Sequence, residues 1–575
     1  MRLRYTLSFD IGGTFTDFVL CDEKEGTITV SKCPTTPADP SVGALAGLNE
    51  LIRQEGLSLA ETRMMVHSTT LVTNAIIERK GAKTGLLTTQ GFRDVLELGR
   101  EQFYDIYDLF APFPAPLIPR YLRRGITERV TRDGTILIPL QPDEVLSTIA
   151  ELQEAGVQSL AVALLHSYQN AGHEQRVAQL IREHFPTLFC SLSSEVAPLV
   201  GEYERTSTTV CDAYVKPLVH HYLQSLQRQL EGIGYGKSFY MMLSSGGTAT
   251  VETAQNYPIR LLESGPAAGA LAAKFYGNLI QREQLLSFDM GGTTAKTCLI
   301  SGGEPYVARG MEVARVHRFK KGSGFPVMVP VIEMIEIGAG GGSIDWIDEL
   351  GLLKVGPQSA GADPGPACYD KGGEEPTVTD ANLLLGYLNP HYFLGGKMPL
   401  RREKALQAMQ KLSAPLHISP TEVAQGIYDV VNENMAAAAR IHIIERGHDP
   451  RRCTMIAFGG AGPAHACQVA RILGVREVVI PMAAGNTSAL GCLAAPLAFE
   501  QMASLPSQLE EADWEKVNRL FARLEEEGRK ALREAGIDEE TITCLYSADM
   551  RLTGQIHEIH IPLPPPPLSS ASVPA

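Results

Sequence analysis

A nine-residue pattern that occurs once in each half of the chain limits the possible folds more than any other feature. The first copy is Phe9-Asp10-Ile11-Gly12-Gly13-Thr14-Phe15-Thr16-Asp17, and the second is Phe288-Asp289-Met290-Gly291-Gly292-Thr293-Thr294-Ala295-Lys296. Each is an apolar run ending in Asp, then two glycines with hydroxyl residues. A further apolar run follows, Phe18-Val19-Leu20-Cys21 or Thr297-Cys298-Leu299-Ile300. The pattern predicts strand, tight turn, strand. The glycines let the turn bend and leave backbone N–H groups to cradle an anion. An Asp at a strand end can hold a metal-bound water, and Thr hydroxyls can donate to phosphate oxygens. One copy alone would read as an ordinary Gly-Gly hairpin turn. Two copies point to a pair of loops gripping one polyphosphate from both sides. No G-x-x-x-x-G-K-[ST] run occurs, and a strand rather than a helix follows the glycines, which excludes a P-loop and a dinucleotide-binding turn.

A chain of 575 residues exceeds one hydrophobic core and predicts roughly two to four domains. The formal charge of −14 disfavours nucleic acid or an anionic membrane as the main partner. An anionic ligand must therefore be held by local groups. Met1-Arg2-Leu3-Arg4 leads straight into a strand-like run without an apolar signal core. No apolar run approaches the roughly 18 residues of a membrane span. The ten cysteines include no C-x-x-C pair, so reduced thiols in a cytoplasmic enzyme are expected.

Along the chain, helix and strand alternate from Asp143 to His184 as in a largely parallel sheet. A long helix is expected from Tyr203 through Leu230, and Glu263-Ser264-Gly265-Pro266 reads as a helix start with N–H groups free for an anion. Ile337-Gly338-Ala339-Gly340-Gly341-Gly342-Ser343 holds four glycines in five positions. That much backbone freedom costs entropy and suggests close approach to a ligand. Phe458-Gly459-Gly460-Ala461-Gly462-Pro463 is a glycine turn at a strand end that suits a nucleoside lying on the backbone. Capping alone accounts for Asp380 in Pro376-Thr377-Val378-Thr379-Asp380. His67, at a strand end before three hydroxyl residues, faces either a cleft or the core. The expected domains are 1–200, 201–505 and 506–563, with the halves meeting near 185–205 and a disordered Pro-rich tail at 564–575.

The two Asp-x-Gly-Gly-Thr hairpins and the later Gly-Gly-x-Gly turn resemble the actin-like ATPase superfamily. In that fold class, α/β, duplicated ribonuclease H-like domains surround a central nucleotide cleft. With His67-Ser68-Thr69-Thr70, Tyr203-Glu204-Arg205-Thr206-Ser207, Glu263-Ser264-Gly265-Pro266-Ala267 and Gly361-Ala362-Asp363-Pro364-Gly365-Pro366, the chain resembles the hydantoinase A / 5-oxoprolinase family over about residues 5–565. That resemblance implies ATP-dependent opening of a small cyclic amide of the hydantoin or 5-oxoproline type. In relatives it implies carboxylation of a ketone, and a non-catalytic nucleotide switch is a third reading. It implies that Asp10 and Asp289 organise Mg²⁺ and its waters, with Lys296 an added catalytic charge. Gly12, Gly13, Thr14, Thr16, Gly291, Gly292, Thr293 and Thr294 would meet the phosphates. Gly340 and Gly341 would approach the ligand, and Gly459, Gly460 and Gly462 would border the adenosine. A second divalent metal near His67, Asp345 or Asp363 stays open. It also implies a B-type hydantoinase/oxoprolinase subunit as partner in a hetero-oligomer. Relatives of this kind continue past Gly554-Gln555 into a fuller C-terminal domain, so a small, incomplete α+β unit is expected there. The substrate lining is expected from Glu97 to Arg100, residues 103–113 and the Ser244–Gly247 turn.

Overall fold

The computed structural model describes residues 3–36, 40–317, 320–555 and 558–573. Its plan follows from the repeated hairpin. The strand Tyr5–Ile11, buried at every residue, runs antiparallel to Phe15–Asp22, which pairs with Thr27–Pro34. On its other side it runs parallel to Thr62–Thr69, followed by Tyr240–Met242 and an edge strand, Thr248–Thr250. The second hairpin repeats this arrangement. Leu285–Met290 is antiparallel to Ala295–Ser301, which pairs with Glu304–Pro305; Thr454–Phe458 and Glu477–Val479 follow in parallel on the other side. Leaving aside the edge strand Thr248–Thr250 of the first sheet and Ile335–Ile337, which pairs with Ala295–Ser301 in the second, both six-stranded sheets run in the order 3-2-1-4-5. This is the duplicated ribonuclease H-like, actin-like architecture.

Insertions hide the duplication. Between strands four and five of the first half, the chain builds a parallel sheet of Phe189–Leu192, Ser159–Ala163, Thr84–Thr89 and Arg123–Ile126. The 31-residue helix Glu202–Gly232 then returns to the first sheet. Its Val210 and Ala213 join the core of the inserted sheet, and its Cys211, Val215 and Val219 join that of the first. Residues 185–205, where the halves were expected to meet, hold the strand Phe189–Leu192 and the start of this helix. The first sheet takes two strands from beyond it, and the repeat begins at Leu285.

Each half ends in a helix after its fifth strand, Ser264–Leu279 in the first and Thr487–Ala494 in the second. The two helices cross at backbone contact. A Cβ on Gly491 would lie 1.8 Å from the Ala268 carbonyl oxygen, and one on Gly269 would lie 2.9 Å from the Phe458 ring. Each helix also packs on the opposite sheet: the first on Leu285–Met290, the second on Tyr5–Ile11, where Ser8 Oγ donates to Ala489 O at 2.5 Å. One apolar cluster joins Val66 and Met242 of the first sheet, Ala268 and Cys492 of the helices, and Leu285 and Phe458 of the second sheet.

The C-terminal unit is thin. The helix Trp514–Glu534 buries no residue and is followed by the hairpin Tyr546–Met550 with Ile559–Leu563. The tail expected to be disordered is docked instead through residue 573. Leu568 is buried, its N–H donates to Asn518 Oδ1 at 2.7 Å, and its carbonyl accepts from Asn518 Nδ2 at 3.0 Å. One apolar side chain and a two-way amide bond oppose the stiffness of the prolines. Among the described residues no helix is long and apolar enough to cross a membrane.

Gly491→Ala is expected to destabilise the chain by about 3 kcal/mol, because the added methyl meets backbone rather than a movable side chain. Scanning calorimetry should show the main transition shifted down. An unchanged transition would mean that the helix crossing yields without cost.

Candidate active site

The two hairpin turns have the same geometry and touch. Gly12 N–H donates to Phe15 O, and Gly291 N–H to Thr294 O, both at 3.0 Å. A Cβ on Gly292 would sit 2.9 Å from Thr14 Oγ1. Gly13 and Thr293 stand exposed at the tips, and Thr14 and Thr294 are half-buried. Hydroxyls and free turn backbone from both halves therefore converge, as a two-sided phosphate grip requires.

Asp10 and Asp289 lie next to last in the first strand of their sheets. Burial pushes Asp10 up to about 6; the Ser68 hydroxyl, donating at 2.7 Å, opposes the shift, and the charges of Asp17 and Asp289 add to it. Burial also pushes Asp289 up to about 6, against the pull of Lys296. Neither carboxylate forms an ion pair among the described residues. Each lies at the start of its own half's terminal helix. A Cβ on Gly265 would be 2.9 Å from Asp10 Oδ1, and Ser488 hydrogen-bonds Asp289. Backbone N–H groups at a helix start favour a negative charge there.

Strand register adds two residues to the site. Asp10 pairs with Asp17 and Asp289 with Lys296, and directly opposed residues share a sheet face. The repeat therefore carries two carboxylates on one hairpin and a carboxylate with an ammonium on the other. Asp17 contacts Lys32 Nζ at 2.5 Å and accepts from Asn486 Nδ2 at 3.1 Å. Lys296 contacts Glu263 at 2.5 Å and Glu336 at 3.7 Å. Asn486 and Glu263 are the residues that open the two crossing helices, and each reaches the hairpin of the other half. Burial pulls the Lys296 ammonium down, but Glu263 and Glu336 outweigh it and keep it protonated.

The donor set suits a magnesium ion. Asp10 and Asp289 supply hard carboxylate oxygens without a cationic partner, at facing strand ends. No group of three or more His, Cys, Asp or Glu among the described residues is placed to enclose a metal. An ion that keeps most of its waters fits this, and Mg²⁺ does so.

Other expected site residues have different surroundings. Thr16 alternates with Asp17, so it points to the opposite face, where it is fully buried against Thr35 Oγ1 at 3.1 Å. The glycine run packs on the second turn: Gly341 N–H donates to Gly291 O at 3.0 Å, and a Cβ on Gly340 would lie 2.6 Å from Gly292 and Thr293 backbone. Its close approach is to the second hairpin turn. Gly459, at φ +85°, brings its backbone against Asp289; a Cβ there would lie 2.3 Å from Oδ1. Gly460 is open, and Gly462 begins a helix under Met290.

His67 is a core residue. It is stacked on Phe9 and bonded to Tyr222 OH at 2.8 Å, and burial pushes it down to about 3. Asp380 accepts from Cys368 N–H and completes a capping box with Thr377. Asp345 is buried beside it with neither carboxylate oxygen bonded, which raises its proton affinity strongly. Of the expected lining, Ser244 is committed to Pro330 O and Arg100 to Glu204. Sequence reasoning passed over Asp17, Lys32, Glu263 and Ser488. The signal for Asp17 was its place as the last residue of the repeat, matching Lys296.

The chain matches the hydantoinase/oxoprolinase N-terminal region over residues 6–185 and hydantoinase/oxoprolinase over residues 205–501. It belongs to the hydantoinase/oxoprolinase family. It is 36% identical over 572 residues to caprolactamase subunit alpha of Pseudomonas jessenii, covering 98% of this chain and 81% of that one. It is 34% identical over 581 residues to the acetophenone carboxylase gamma subunit of Aromatoleum aromaticum, covering 96% and 77%. The crystal structure of the ATP-dependent caprolactamase superposes with a TM-score of 0.83 over 97% of this chain and 81% of that one. Nucleotide-free acetone carboxylase, from work on ATP-dependent acetone carboxylation, superposes at 0.81 and 28% identity, covering 100% and 82%.

A carboxylate raised to about 6 favours the folded state when protonated, so its contribution is complete below about 4 and is lost as pH rises through 6. Asp289→Asn should therefore stabilise the ligand-free chain at pH 8 by on the order of 2 kcal/mol and leave it unchanged near pH 4. Thermal melts at the two pH values measure this. Equal effects at both would show that Asp289 carries no buried-charge cost.

Proposed function

We propose that the chain is the nucleotide-binding subunit of an ATP-dependent enzyme that opens a small cyclic amide by phosphorylating its carbonyl oxygen. The observation that carries this reading is the contact of the two hairpins, with Asp10 and Asp289 at their strand ends. Turn backbone with Thr14, Thr293 and Thr294 would meet the phosphates, and Gly459 to Gly462 would border the adenosine. Asp10 and Asp289 would hold Mg²⁺ through its waters; bound there, the ion supplies charge neutralisation to the polyphosphate.

Amide resonance makes a lactam a poor electrophile, and phosphorylating its oxygen makes the ring carbon reactive. Water adds there, the ring C–N bond breaks with a proton passing to nitrogen, and a second water hydrolyses the acyl phosphate so formed. ATP, ring amide and water then yield ADP, phosphate and the open-chain product. The work of this subunit is alignment and charge control, as in other phosphoryl transfers. The ring-opening half-reaction is assigned to a B-type subunit. The likeness to caprolactamase subunit alpha supports both points. The acetophenone and acetone carboxylase likenesses support a second reading, ATP-dependent activation for ketone carboxylation.

The test is ADP release by the chain with a B-type subunit, assayed against caprolactam, hydantoins, 5-oxoproline, and ketones with bicarbonate. Stimulation by a cyclic amide is expected, and dependence on bicarbonate plus ketone would establish the second reading instead. Asp10→Asn and Asp289→Asn should each lower stimulated turnover by roughly 10²- to 10³-fold. Full turnover in both variants would remove the clamp from the mechanism.

A further inference from the structure

Both ammonium groups at the facing turns are already neutralised. Lys32 is held by Asp17, and Lys296 by Glu263 in a contact whose side chains are only 14% and 7% exposed. Asp10 and Asp289 remain as charge without a cationic partner, so four carboxylates face two ammoniums. A bare polyphosphate entering here meets a net negative site of reduced dielectric, where like charges repel strongly. Glu263 is held firmly in place. It opens the Ser264–Leu279 helix from a left-handed backbone conformation (φ 56°, ψ 27°), and its N–H donates to Thr73 Oγ1 at 3.3 Å. It reaches Lys296 from the other half of the molecule. Glu336 also lies near Lys296, but at 3.7 Å and 44% exposed it is screened by solvent.

We infer that Glu263 is a specificity-determining residue that makes the site select metal-bound nucleotide over the free anion, by cancelling the charge of Lys296. The inference rests on the ATP-binding reading above. Its physical basis is local charge balance. With Glu263 in place, the positive charge that a polyphosphate needs must arrive with it. Without Glu263, Lys296 offers that charge directly.

Isothermal titration of ATP, once with Mg²⁺ and once with EDTA, tests this on the wild type, Glu263→Gln, Glu336→Gln and the charge-neutral double variant Glu263→Gln/Lys296→Gln. The wild type should prefer Mg-ATP strongly. Glu263→Gln should narrow the ratio of the two dissociation constants by roughly tenfold, through tighter binding of free ATP. Glu336→Gln should leave the ratio within about twofold, as expected for an exposed pair. The double variant restores the local charge and should keep the wild-type ratio. A purely structural Glu263 would weaken both forms alike and leave the ratio unchanged, and that result would overturn the inference. If Glu263→Gln does not fold, loss of the Mg²⁺ preference in the double variant would overturn it equally. A wild-type chain that binds ATP under neither condition would refute the ATP reading itself.

Discussion

The backbone crossing of Ser264–Leu279 with Thr487–Ala494 is the contact on which the rest of the molecule depends. Ala268 and Gly491 leave no room for a side chain between them, so the two helices meet at one depth and one angle. Each helix continues onto the sheet of the other half, and the two sheets are locked with their first strands facing. Both helix starts then lie beside the strand ends that carry Asp10 and Asp289. Small residues at one crossing thereby set the separation of two carboxylates far apart in sequence.

The site formed in this way is electrostatically costly. Two carboxylates, Asp10 buried and Asp289 half-buried, stand without an ion-pair partner among the described residues, and a third, Asp17, is paired with Lys32. Buried charge of this kind opposes folding unless something else gains from it. A divalent ion carried by a polyphosphate is the ligand that would convert the cost into binding energy. The duplication supplies the geometry, and divergence at one position, Asp17 in one copy and Lys296 in the other, is balanced in each case by a partner of opposite charge, Lys32 or Glu263.

Much of this was legible in the sequence because its signals are local. The hairpins, the long helix after Tyr203 and the capping role of Asp380 all follow from patterns a few residues long. Long-range features were harder to read. The inserted sheet separates strand four from strand five of the first half, so the break near residue 200 hid two strands of the first sheet. The glycine run at 338–342 was read as approaching a ligand, whereas its backbone packs on the second turn, a partner that composition does not reveal. Thr16 was misplaced although strand alternation with Asp17 already sets it on the far face. Glu263 and Asn486 reach across the interface between the halves, and their neighbours in sequence give no sign of that.

The central claim is that both hairpins serve one metal-bound nucleotide. Crystallography of the chain with Mn²⁺ and a non-hydrolysable ATP analogue tests it most directly, because the manganese position can be read from anomalous scattering alone. The account predicts a single strong peak between Asp10 and Asp289, in contact with both through at most one water, and phosphates touching both turns. A peak bound to only one of the two carboxylates, or a nucleotide seated outside the facing turns, would contradict it.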